Sequence, residues 1–246
     1  MVAPLPGLVT DDTSAHEPGP RLLLVRHGET SSNVGGLLDT AEPGADLTAL
    51  GRSQAESLVD RLAGTAIDTL LVSPLARTRQ TAAPLARARG LGTTVDARLR
   101  EISAGELEMR GDAEAMREYL STLLAWVRGD LDAQLPGGET GRAAFARFDA
   151  AVTAAVAAGA RDVTVVSHGA MIRTWCAVRA DVPFGVFAAH PVPNTGIVAL
   201  ERAAAGWRVT SWVGRALDEL DRAAEVDPSA LTPDVVVHGL HRAAAD

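Results

Sequence analysis

The sequence predicts an α/β protein, a three-layer α/β/α sandwich with a mostly parallel central sheet. Two observations carry this. Short apolar runs suited to buried strands alternate with Ala-rich segments of helical period, and a strand–helix–strand rhythm of that kind joins parallel neighbours while covering both sheet faces with helices. The 246 residues, 47% hydrophobic, suffice for one such domain with a substantial core.

In chain order, residues 1–20 carry four prolines, two glycines and several small polar residues, the composition of a flexible arm. RLLLV (21–25) is the first buried strand. A helical period runs over 48–62, DTLLV (68–72) follows as a strand, a second helical period covers 75–89, and TTV (93–95) is a short third strand. Two further helical stretches, 112–128 and 140–158, precede the apolar strand DVTVV (162–166). A helix follows over 170–179, and GIVALE and WRVTSW read as a closing pair of strands. No repeat or internal linker divides 21–214, which predicts a single domain. Residues 215–246 mix acidic residues, prolines and one short apolar run, which predicts an appendage on the surface.

Composition excludes several chemistries. All 23 basic residues are arginine, so Schiff-base formation, pyridoxal phosphate attachment and a Walker A lysine are ruled out. The net charge of −8 argues against nonspecific binding to nucleic acid or anionic membranes. Cys176 is the only cysteine, which removes intramolecular disulfides and zinc sites built on several thiolates. The first residues have neither a basic segment nor a long apolar run, and nowhere do about 18 uncharged apolar residues follow one another, so a cytoplasmic protein is expected.

The chemistry starts at LLLVRHGETSSN (22–33), where Arg26, His27 and Gly28 directly follow a buried strand. Open α/β sheets bind ligands at the carboxyl ends of their strands. One Arg-His-Gly triplet is weak, since chance supplies it in about one chain in twenty of this composition. VTVVSHGAMIR (163–173) repeats the plan with His168 and Gly169, putting two histidines at the ends of two parallel strands beside glycines that let backbone N–H groups approach a ligand. SPLARTRQTA (73–82) sets Arg77 in the first turn of a helix at a third strand end, where a guanidinium can bind phosphate oxygens bidentately. LREISAGELE (99–108) offers Glu101 as a proton donor, with Glu106 and Glu108 as competitors. A third His-Gly step, VVVHGLH (235–241), lacks the preceding Arg or Ser, so His238 and His241 are left out of the site.

In order, the motifs RHGET with a following Asn, SPLARTRQTA, LREISAG, GGET and VSHG resemble the histidine phosphatase superfamily, also called phosphoglycerate mutase-like, over roughly residues 21–212. The resemblance implies that His27 is a phosphate-accepting nucleophile and that Arg26 and Arg77 clamp the phosphate. It implies a second phosphate-pocket histidine in His168, a general acid in Glu101, and phosphoryl binding by Asn33 and Gly169, with Glu139 in a supporting position near the pocket. It implies no cofactor, no metal, and a small phosphorylated substrate; the oligomeric state stays open, a homodimer included. The expected function is phosphomonoester hydrolysis through a phosphohistidine. A phosphoglycerate mutase-type phosphotransferase and a non-catalytic phosphate-binding module are the alternatives. Between Asn33 and Leu47, where many members of that family carry an Arg, a Gln-Gly or Ser-Gly pair and an aromatic residue, this chain has Gly36, Leu37 and Leu38, together with acidic Asp39, Glu42 and Asp46. A less polar entrance follows, one suited to hydrolysis more than to holding a phosphohydroxy acid during isomerisation.

Overall fold

The computed structural model describes residues 19–223. Strands β1 (Arg21–Arg26), β2 (Thr69–Val72), β3 (Thr93–Val95), β4 (Asp162–Ser167), β5 (Ile197–Ala203) and β6 (Gly206–Trp212) form one sheet in the order β3-β2-β4-β1-β5-β6. The pairs β2–β3, β2–β4 and β1–β4 are parallel; β5 and β6 close the sheet antiparallel. The sheet is thus mostly parallel with an antiparallel edge, as the sequence predicts. The two strands that precede the histidines are neighbours, with Arg26 opposite Ser167 in the register.

Alternation along each strand divides the interior into two layers. Leu22, Leu24, Leu71, Val163 and Val165 face the larger core, which they share with Leu123, Phe145, Phe148 and Trp175. Val25, Leu70, Val72 and Val166 face the smaller one, with Leu58, Ala82 and Ala86. Helices α2 (Ala49–Arg61) and α3 (Ala76–Arg89) therefore cover one face, while α4 (Ala113–Val127), α5 (Gly141–Ala157) and α6 (Gly169–Arg179) cover the other. Each of α2, α4 and α5 starts where a side chain accepts from an exposed backbone N–H: Thr48, Asp112 and Thr140 are the caps.

Three short helices were not legible as periodicity: α1 (Ser31–Val34), α7 (Phe184–Ala189) and α8 (Leu217–Ala223). None spans more than two turns, so a 3.6-residue repeat has no room to show. The small α1 is held by a reciprocal cap between Thr30 and Asn33. The start of the expected appendage, α8, seats Leu220 in the large core against α7 and β6. The rest of that appendage, its His238 and His241, and most of the expected N-terminal arm lie outside the described residues. Among the described residues no helix is long and apolar enough to cross a membrane.

Candidate active site

His27 lies one residue beyond β1 and is almost fully buried. Its backbone N–H donates to the Ser167 carbonyl at 3.0 Å, which ties it to the end of the adjacent strand. Nδ1 lies 2.8 Å from the Gly28 carbonyl oxygen. A carbonyl can only accept, so Nδ1 carries the proton of the neutral ring and Nε2 keeps its lone pair free. Burial, followed by the charges of Arg77 and Arg26, holds the His27 pKa well below the ordinary histidine value. The turn that carries it is closely packed: a Cβ on Gly51, in the first turn of α2, would lie 2.1 Å from the Glu29 carbonyl oxygen. Only glycine lets α2 come this near.

His168 ends β4 and begins α6, fully buried beside His27, with ring centroids 5.3 Å apart. Its Nε2 is 2.7 Å from the Ser73 hydroxyl at the end of β2, and its Nδ1 has no hydrogen-bond partner. Desolvation, then Arg77 and His27, keep this ring neutral well below the usual range too.

Two guanidinium groups flank the pair. Arg26 donates from Nη1 to the Val192 carbonyl at 2.8 Å, while its buried Nε has no partner. Desolvation lowers its pKa to about 10, so it stays charged at neutral pH. Arg77 donates from Nη2 to the Asp39 carbonyl at 2.8 Å and places Nη1 3.6 Å from the Asp39 carboxylate; its Nε and Nη1 have no hydrogen-bond partner. Unpartnered N–H groups on buried cations mark places for an anion. Asn33 adds a further donor. Its Oδ1 accepts from Thr30 N and Asn194 Nδ2, both at 3.1 Å, which leaves its amide N–H groups for the cavity it lines.

Glu101 sits between two 3₁₀ turns, Ala97–Leu99 and Gly105–Leu107. Its Oε1 accepts from Ile102 N and Met171 N at 2.9 Å each, and Oε2 from Ala170 N at 3.2 Å, so the carboxyl group caps the start of α6. Burial raises its pKa and outweighs these bonds and Arg77, which favour the ionised form. Of the three candidate glutamates only Glu101 lines the cavity. Glu108 instead accepts from the N–H groups of Thr40 and Ala41 and from the Thr40 hydroxyl.

Glu139 does not line the cavity. It pairs with Arg147 through contacts of 2.9 and 2.6 Å, and Arg147 in turn donates to the carbonyls of Arg98, Arg100 and Glu101. This clamp fixes the segment that presents Glu101. Through Arg147, Glu139 braces the backbone at Glu101 from outside the cavity.

Arg26, His27, Asn33, Arg77, Glu101 and Gly169 thus line one cavity of about 130 Å³; His168 is not among the lining residues, its ring packing edge-on to that of His27. Sequence reading missed much of the rest of the lining: Met116, Tyr119, Leu120 and Leu123 on α4, and Arg173 on α6. The α4 positions follow a three-to-four-residue spacing that in a sequence is indistinguishable from a core stripe. Arg173 lies one helical turn beyond Gly169, is almost fully buried, stacks over Phe187 at 4.6 Å, and has an unpartnered Nη1. Asn194 was also missed; it donates to the His27 carbonyl at 3.0 Å. Among the described residues no three His, Cys, Asp or Glu side chains converge as a metal-ligand set.

Residues 22–214 match the model of the histidine phosphatase superfamily (branch 1). A PE-PGRS family protein of Mycobacterium tuberculosis is 35% identical over 77% of the chain, which spans 36% of that relative's length. "Probable phosphoglycerate mutase GpmB" of Salmonella choleraesuis is 30% identical over 82% of the chain and 99% of its own. Among solved structures, a mycobacterial glucosyl-3-phosphoglycerate phosphatase superposes with a TM-score of 0.68 at 28% identity, covering 80% of this chain and all of that one. The alpha-ribazole phosphatase from Shigella flexneri gives 0.64 at 28% identity, over 80% of this chain and 97% of its own. The chain belongs to the histidine phosphatase superfamily.

Proposed function

We propose that the protein is a phosphomonoesterase that hydrolyses a small phosphorylated molecule through a phosphohistidine on His27, without a metal ion. The observation that carries this reading is the His27 ring, whose Nδ1 proton is held by the Gly28 carbonyl while Nε2 stays free in a cavity lined by Arg26 and Arg77. In the first step the Nε2 lone pair forms a bond to phosphorus as the P–O ester bond breaks, and Glu101 gives its proton to the departing alkoxide. In the second, Glu101 as carboxylate takes a proton from water, whose oxygen attacks phosphorus; the N–P bond breaks and inorganic phosphate leaves. Arg26, Arg77, the Asn33 amide and a protonated Nδ1 of His168 hold the equatorial oxygens, where transferring phosphoryl charge is spread.

A mutase would have to grip a carboxylate and exclude water. The loop after α1 contributes Leu37, Leu38 and acidic Asp39 to the cavity, and Arg110 is paired with Asp112, which favours hydrolysis. The test combines two measurements. Acid-labile label from a labelled phosphomonoester should be trapped on the native protein by rapid quenching and not on His27→Ala. With 3-phosphoglycerate and a trace of 2,3-bisphosphoglycerate, free phosphate should appear faster than 2-phosphoglycerate. Equal label on both proteins moves the nucleophile elsewhere, and isomerisation outrunning hydrolysis makes the protein a mutase. Chelator should leave the rate unchanged; loss reversed by a divalent ion would remove the metal-free part of the reading.

A further inference from the structure

We infer that the alcohol of the substrate is apolar and uncharged, so that the protein acts on small alkyl or aryl phosphomonoesters in preference to phosphorylated sugars or sugar acids. This rests on the hydrolase reading above and deepens it.

Arg26, His27, Asn33 and Arg77 line the cavity together with an apolar set of side chains. On α4, Met116, Leu120 and Leu123 line the same cavity, and the loop after α1 adds Leu37. Tyr119 adds the body of its ring to this wall, because its hydroxyl already donates to the Ile102 carbonyl at 3.0 Å. The nearby Thr40 hydroxyl is likewise occupied, donating to Glu108 and accepting from Ala104 N. With the phosphoryl group against His27, the rest of the ester has this wall to cover. A polar alcohol would lose its hydration there and regain little. The whole cavity is about 130 Å³ and also has to hold the phosphoryl group, so the body it takes is small.

Arg173 suggests the opposite, a second anion, and the charge balance decides against it. The lining holds the guanidinium groups of Arg26, Arg77 and Arg173, and the carboxyl groups of Asp39 and Glu101. The ion pair of Arg77 with Asp39 cancels one charge, and with Glu101 carrying the proton that it donates, the wall has an excess of two positive charges. A phosphate dianion matches that excess. An additional carboxylate on the alcohol would leave a buried negative charge without a partner.

The experiment measures kcat/KM for ethyl, propyl, n-butyl and benzyl phosphate against glycerol 3-phosphate and 3-phosphoglycerate, all esters of alcohols. Each added methylene should raise kcat/KM about fourfold, and n-butyl phosphate should exceed glycerol 3-phosphate by about tenfold or more. Met116→Gln and Leu37→Gln, at half-buried rim positions, should shrink the ratio of n-butyl to glycerol ester. A flat ladder with all esters hydrolysed overturns this inference and spares the hydrolase reading. So does 3-phosphoglycerate as the best substrate with the advantage lost in Arg173→Gln, which would make Arg173 a second anion site. If no ester releases phosphate, the hydrolase reading fails and takes this inference with it.

Discussion

His27 and Glu101 are both buried and both titratable, and burial favours the neutral form of each. In the proposed reaction, which needs an unprotonated nucleophile and a protonated acid, neutrality is the working state of both. The lowered pKa of His27 places the rising limb of a pH–rate profile below pH 6.5, since the ring has already lost its proton there. The raised pKa of Glu101 moves the falling limb above the ordinary glutamate value, because activity is lost as pH rises through it. Glu101→Gln should abolish that falling limb. It should also cost about two to four powers of ten with alkyl esters and much less with nitrophenyl phosphate, whose leaving group needs no proton. Equal losses with both would show that another group is the acid. At this scale the sequence was informative wherever chemistry sits next to a strand end, as with Arg26, His27 and His168. It was silent on Asn194, which reaches His27 from 167 residues away, because no local pattern encodes so distant a partner.

Helix α6 shows how one element coordinates several of these groups. Its first turn carries His168 and Gly169, its second and third residues donate to Glu101, and Gly169 lets it lie against Arg26. A Cβ at Gly169 would meet Arg26 Nε at 3.0 Å and Cζ at 3.3 Å. Gly169→Ala should therefore displace the guanidinium by a few tenths of an ångström while suiting the helix backbone better than glycine does. The expected outcome is kcat/KM down by about ten- to a hundredfold with an unchanged or higher urea midpoint. Full activity would mean that Arg26 does not need its present position. The segment that presents Glu101 depends on α5 in the same way, through the clamp of Arg147 and Glu139 on the carbonyls around Glu101. GGET was legible as a motif. Its service to a neighbouring loop was not, because that depends on how α5 packs against the turn at Ala97–Leu99.

At the scale of the whole molecule, the fold was legible because strand and helix periods alternate from Arg21 to Val95 and again from Asp162 to Arg179, and the boundaries of α2 to α6 fall within a residue or so of the periodic stretches. The cavity's apolar wall was not, since α4 buries core and lining residues with one pattern. The same assembly sets how stability responds to acid. His27 and His168 have folded pKa values below the unfolded value of 6.5, so below that pH the unfolded chain binds protons that the folded chain refuses. Each ring kept neutral costs about 1.4 kcal/mol of stability per pH unit in that range. Glu101 acts in the opposite sense: its raised pKa lets the folded chain take up a proton first, which favours folding as pH falls. The net charge of −8 also opposes the histidines, because acidification relieves self-repulsion. The difference between variants isolates the histidines from both. The urea midpoint of His27→Asn should fall less between pH 7 and pH 5 than that of the native protein, and a double variant that also carries His168→Asn should fall less again. Identical slopes for all three would mean that the two rings take up protons within the fold, and the pair could not then be the neutral nucleophile and donor on which the proposed chemistry depends.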